Sequence, residues 1–81
     1  MVYIATFYSH FGAVRYRKLC DGRRWSARLA PVPRALSSSC GTCVCYEGDS
    51  FCPVETVPEE VEQIVQVSGD GFIPLFRAQN G

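Results

Sequence analysis

Cys40, Cys43, Cys45 and Cys52 fall within thirteen residues of one another, and three serines, Ser37, Ser38 and Ser39, stand directly before the first of them. Hydroxyl groups and the open backbone of Gly41 therefore surround the Cys40 sulfur. The thiolate, not the thiol, is the nucleophile and the metal ligand. A Cys40 thiolate would attack sulfur or selenium, or carry a persulfide, and a nearby helix N-terminus and Arg34 would favour it over the thiol. The plainer alternative is an inert cysteine in a turn, since free cysteines behave mostly as small buried apolar residues.

The spacing leaves two further chemistries open. Cys40–Gly41–Thr42–Cys43 has the two-residue gap of a metal knuckle or a dithiol, so Cys40, Cys43, Cys45 and Cys52 form an alternative zinc or iron–sulfur ligand set. The second half of such a site is irregular, because a single residue separates Cys45 from Cys43. A reversible Cys40–Cys43 disulfide is the other alternative, although the motif runs into an expected strand and not into a helix. His10, the single histidine, reads either as a proton shuttle and positive partner of Cys40 or as an exposed residue of a helix's first turn. Cys20 reads as helix core.

These groups need a scaffold. Val2–Tyr8 is β-branched and aromatic on both alternations, as a central strand should be. Ser9 then serves as N-cap of a helix running to about Cys20, with Ala13, Tyr16, Arg17 and Cys20 on one face and Gly22 placed for a left-handed C-terminal turn. Trp25–Ala30 alternates as a half-buried strand, and Pro31 and Pro33 put it at a sheet edge. Cys43–Glu47 makes a third strand. Thr56, Val57, Pro58 and Glu59 resemble a capping box, and Val57, Val61, Ile64, Val65 and Ser68 keep helical spacing, so a second helix is expected there. Phe72–Ala78 closes the chain as an edge strand.

The order βαββαβ predicts an α+β, ferredoxin-like sandwich: a four-stranded antiparallel sheet with two helices on one face. It makes residues 1–81 a single domain with the thiol loop at 31–45. In that topology the end of the first strand, the start of the first helix and the loop between strands two and three meet at one end of the sheet. Ser9 and His10 should then approach Cys40.

Composition bounds the partners. The chain has 81 residues, 47% of them hydrophobic, which is enough for one core. Eight basic and eight acidic residues cancel, which argues against non-specific binding to nucleic acid or an anionic membrane. Tyr3 and Phe7 on a central strand suggest base-stacking aromatics, but the third strand lacks the matching basic and aromatic pattern, and RNA binding is not supported. The basic residues Arg15, Arg17, Lys18, Arg23 and Arg24 and the acidic Glu55, Glu59, Glu60 and Glu62 read as a self-complementary surface. No secretory leader and no membrane span stands out, and an odd number of cysteines suits a disulfide framework poorly, so a cytoplasmic protein with reduced thiols is expected. No cofactor is indicated.

Three pieces of the chain carry a family resemblance: Phe7–Ala13 (FYSHFGA), Leu29–Arg34 (LAPVPR) and Leu36–Gly41 (LSSSCG). Over about Thr6–Tyr46 the chain resembles the selenium/sulfur carrier-like family of small bacterial proteins. The family pattern matches Ser9, Ala13, Pro31, Pro33, Arg34, Ser37, Cys40 and Gly41, and departs at Arg17, Cys43 and Cys45. The resemblance implies that Cys40 accepts sulfur or selenium and hands it to a partner, so that donor and acceptor proteins are the partners. It implies a carrier rather than a stand-alone enzyme. Catalytic weight then falls on Cys40, His10, Ser9 and Arg34, and binding on Ser37, Ser38, Ser39, Gly41 and Cys43. The Cys-rich metal or dithiol protein and a non-catalytic regulatory module stay as alternatives, and oligomeric state is open.

Overall fold

The computed structural model describes residues 1–79 and contains one helix and five strands. In chain order these are β1 (Val2–Phe7), α1 (His10–Gly22), β2 (Ser26–Pro31), β3 (Thr42–Glu47), β4 (Val61–Ser68) and β5 (Gly71–Arg77). All strand pairs are antiparallel, in the order β2-β3-β1-β4-β5. Among the described residues no helix is long and apolar enough to cross a membrane.

This corrects the ferredoxin-like expectation: the second helix is absent, and the sheet has five strands where four were expected. The segment read as helical folds as an irregular stretch to Glu60 followed by β4. The reason lies in two features of β4. The strand is buried on both faces, Ile64 toward α1 and Val65 away from it. The pairing with β1 also slips between Thr6 and Phe7, leaving Glu62 as an extra residue. A bulge of this kind returns Val61 and Ile64 to the same face, so Val61, Ile64 and Val65 reproduce helical spacing on an extended chain.

The space of the missing helix is filled by residues 48–60. Tyr16 donates to the Tyr46 hydroxyl at 2.9 Å, and Tyr46 in turn donates to the Phe51 carbonyl. Arg23 holds the Pro53 carbonyl at 2.9 Å. These bonds satisfy carbonyls that lie outside any helix or strand, and they seat buried Cys52 beside Cys20 in the core under α1.

The helix forms where its cap is. Ser9 is extended and accepts from the Gly12 N–H at 3.3 Å, as an N-cap hydroxyl does. Gly12, Ala13, Tyr16 and Cys20 are its buried residues. Arg17 faces outward and lies 3.7 Å from Asp21, so it leaves the apolar stripe. The left-handed position after the helix is Arg24 (φ 61) and not Gly22.

The sheet separates two apolar clusters. Tyr3, Ala5, Phe7, Val44, Tyr46, Val61 and Ile64 face α1, whereas Ile4, Cys43 and Val65 form the smaller cluster behind. Tyr3 and Phe7 are thus buried, not displayed for base stacking. The edge positions expected from the prolines hold, with β2 and β5 outermost.

Candidate functional site

The loop from residue 32 to residue 41 is closed at its neck. Pro31 pairs with Thr42 across β2 and β3, and Val32 N–H donates to the Gly41 carbonyl at 3.1 Å. Inside it Leu36 N–H donates to the Pro33 carbonyl at 3.0 Å, while Val32 and Leu36 pack on the rear cluster. Gly41 has φ 74, a left-handed conformation that a side chain disfavours, and it turns the chain from Cys40 into β3.

The serines are tied down individually. Gln63 donates to the Ser37 carbonyl at 3.0 Å, and the Ser38 hydroxyl donates to the Phe7 carbonyl at 3.3 Å. Glu62, the bulge residue of β4, accepts from the Ser39 N–H at 3.1 Å and the Ser39 hydroxyl at 2.7 Å, and from Thr6 at 3.4 Å. Cys40 N–H donates to the Ser38 hydroxyl oxygen at 3.4 Å, and its thiol donates to the Thr42 carbonyl at 3.3 Å. The half-buried Cys40 sulfur is thereby presented at the sheet end.

The expected meeting of β1, α1 and the thiol loop is present: β1 ends at the Ser38 contact, and His10 Nδ1 lies 3.5 Å from Thr42 Oγ1. His10 thus touches the residue whose carbonyl takes the Cys40 thiol. Ser9 is occupied as the helix cap. Arg34 is exposed on the loop, and no acidic side chain pairs with it among the described residues.

The other thiols disperse. Cys40 packs against the cluster under α1, whereas Cys43 belongs to the rear cluster with half-buried Cys45 beside it. Cys52 is in the core under α1. Among the described residues no three of His, Cys, Asp and Glu gather into a group that would hold a metal ion. Burial pushes the Cys43 thiol up to about 12, and the neighbouring Cys45 adds to this. Cys43 donates instead to the Pro31 carbonyl at 3.6 Å.

Glu62, Gln63, Thr6 and Thr42 are the site residues that the sequence does not announce. Glu62 and Gln63 belong to the segment read as a helix, where both would be surface positions far from the loop. Thr42 sits inside the CGTC motif, but its carbonyl acts, and a carbonyl leaves no mark on residue type.

No curated protein and no solved structure matches the chain. A family model does, over residues 2–68, a span that takes in β1, α1, the serine loop and the Glu62–Gln63 clamp, and by that match the chain belongs to the family described as "Putative Se/S carrier protein-like".

Proposed function

We propose that Cys40 is the carrying atom of a sulfur or selenium carrier, accepting the chalcogen from one partner protein and yielding it to another. The family supplies the general function; the observation that supports this residue is the clamped loop, which fixes Ser37, Ser38 and Ser39 to β1 and β4 and leaves the Cys40 sulfur half-buried at the sheet end. Such fixing lowers the cost of holding a nucleophile in its reactive geometry.

The transfer itself is an exchange. The Cys40 thiolate attacks the terminal sulfur of a donor persulfide, a new S–S bond forms as the donor's S–S bond breaks, and the bonding pair leaves on the donor's inner sulfur as a thiolate. The same balance holds for a terminal selenium. His10, which meets Thr42, would take up the proton, and Arg34 on the same loop would steady the negative charge.

The test is intact-protein mass spectrometry after incubation with a persulfide donor, followed by dithiothreitol. One added sulfur, removed by the reductant and mapped to Cys40, is expected in the wild type and in Cys45→Ser, and is absent from Cys40→Ser. Equal loading of Cys40→Ser would overturn the assignment.

A further inference from the structure

Two cavities of about 320 and 410 Å³ flank the outer edge of the serine loop, and Ser37, Gln63 and Arg77 line both, so they adjoin as a groove between the loop and the β4–β5 hairpin. Its volume is that of a small-molecule site. We propose that this groove binds a low-molecular-weight thiol bearing a carboxylate, the small-molecule source or sink of the sulfur on Cys40; the inference rests on the carrier reading above.

The chemistry of the walls selects that class. Arg77 stands opposite Gln63 in the β4–β5 register, is exposed, and pairs with no acidic side chain among the described residues, whose ion pairs are Arg15–Glu60 and Arg17–Asp21. A guanidinium presented in this way matches a carboxylate with two parallel hydrogen bonds. Glu62, which lines the first cavity, makes no ion pair with Arg77; its oxygens accept from Ser39 and Thr6. Asp70 lines the second cavity from the hairpin turn, at the opposite end of β5 from Arg77.

The rest of the groove suits the body of such a molecule. Leu36, Val65, Phe72 and Pro74 give the second cavity an apolar wall for a short aliphatic chain. Gln63, only 8% exposed, is fixed by its bond to the Ser37 carbonyl. Ser37 is three residues from Cys40 on the same clamped loop. A carboxylate held on Arg77 therefore lays its chain along the wall that Ser37 shares with the loop carrying Cys40. When the bound molecule is a persulfide, its terminal sulfur passes to the Cys40 thiolate, its S–S bond breaks, and it departs as a thiolate, with no net oxidation and no other reactant.

Binding and loading are measured separately. In the first experiment 3-(methylthio)propanoate, which cannot transfer sulfur, is titrated into ¹⁵N-labelled protein, with 3-(methylthio)propanamide as the uncharged control. Saturable shifts at Ser37, Gln63 and Arg77 are expected with the acid and not with the amide. Arg77→Gln should weaken the acid about tenfold or more, and Arg28→Gln should not. Equal binding of acid and amide, or an affinity indifferent to Arg77→Gln, would overturn the proposal. In the second experiment Cys40 is loaded from the persulfides of 3-mercaptopropanoate and 2-mercaptoethanol. Arg77→Gln should abolish the preference for the carboxylated donor and leave the uncharged donor's rate unchanged; an equal loss with both donors would overturn the proposal. Acid binding through Arg77 without loading of Cys40 from any donor would uphold the groove and remove the carrier assignment instead.

Discussion

Glu62 is the residue on which the geometry of the thiol loop most depends, because one carboxylate takes both donors of Ser39 and the Thr6 hydroxyl. Hydrogen bonds to an ionised acceptor are stronger than neutral ones, although partial exposure reduces their worth. Glu62→Ala should therefore cost on the order of 1 kcal/mol locally. The measurement is hydrogen exchange at the Ser39 amide, which should quicken about fivefold for a loss of that size. Loading of Cys40 should slow in parallel, while alkylation of Cys45, on the opposite side of the sheet, stays as it was. An unchanged Ser39 exchange rate would mean that the serine loop is held by something other than this clamp. Glu62→Gln, which keeps one acceptor oxygen, should fall between the two.

The elements were legible where local chemistry fixed them. Ser9 marks its helix because only a short polar side chain caps well, and Pro31 marks an edge because it lacks an N–H. The neighbourhood of β1, α1 and the thiol loop followed from the βαβ order and survives the correction of the fold, since Thr6 lies opposite Cys43 whatever lies beyond β1. What stayed hidden was β4. A bulged strand with two buried faces imitates helical spacing, and the Thr56–Glu59 pattern supplied a false cap; the β-branched Val61, Ile64, Val65 and Val67 were the signal that favoured a strand. The turn after α1 shows a smaller mismatch. Arg24 adopts φ 61, which costs a side-chain-bearing residue about 1 kcal/mol, partly recovered as a looser unfolded chain when glycine replaces it. Arg24→Gly should therefore raise the melting temperature by roughly 2–5 °C without altering Cys40 loading. A lower melting temperature would show that the Arg24 side chain contributes more than its backbone costs.

At the scale of the whole molecule, four acid–base groups buried on the two sides of one sheet, Cys20, Cys43, Tyr16 and Tyr46, are shifted the same way. Burial, with smaller contributions from Asp21 and Cys52, pushes the Cys20 thiol up to about 12 on the α1 side, and Cys43 behind the sheet also reaches about 12. Tyr16 and Tyr46 are raised as well, desolvation being the largest cause in each. In every case the fold holds the neutral form. The unfolded chain ionises its thiols near pH 9, so above that pH it binds fewer protons than the native state, and stability must fall as pH rises. The contribution is whole below about pH 9 and is lost through about pH 12. Denaturant midpoints should accordingly hold steady from pH 7 to about 8.5 and then decline, and Cys20→Ala should start lower, through the lost packing, but decline less steeply. A midpoint that rose above pH 9 would mean that the native interior stabilises thiolate. The same burial divides the chemistry between the cysteines: Cys20 and Cys43 are held neutral and enclosed on either side of the sheet, and the half-buried Cys40 stands on the clamped serine loop.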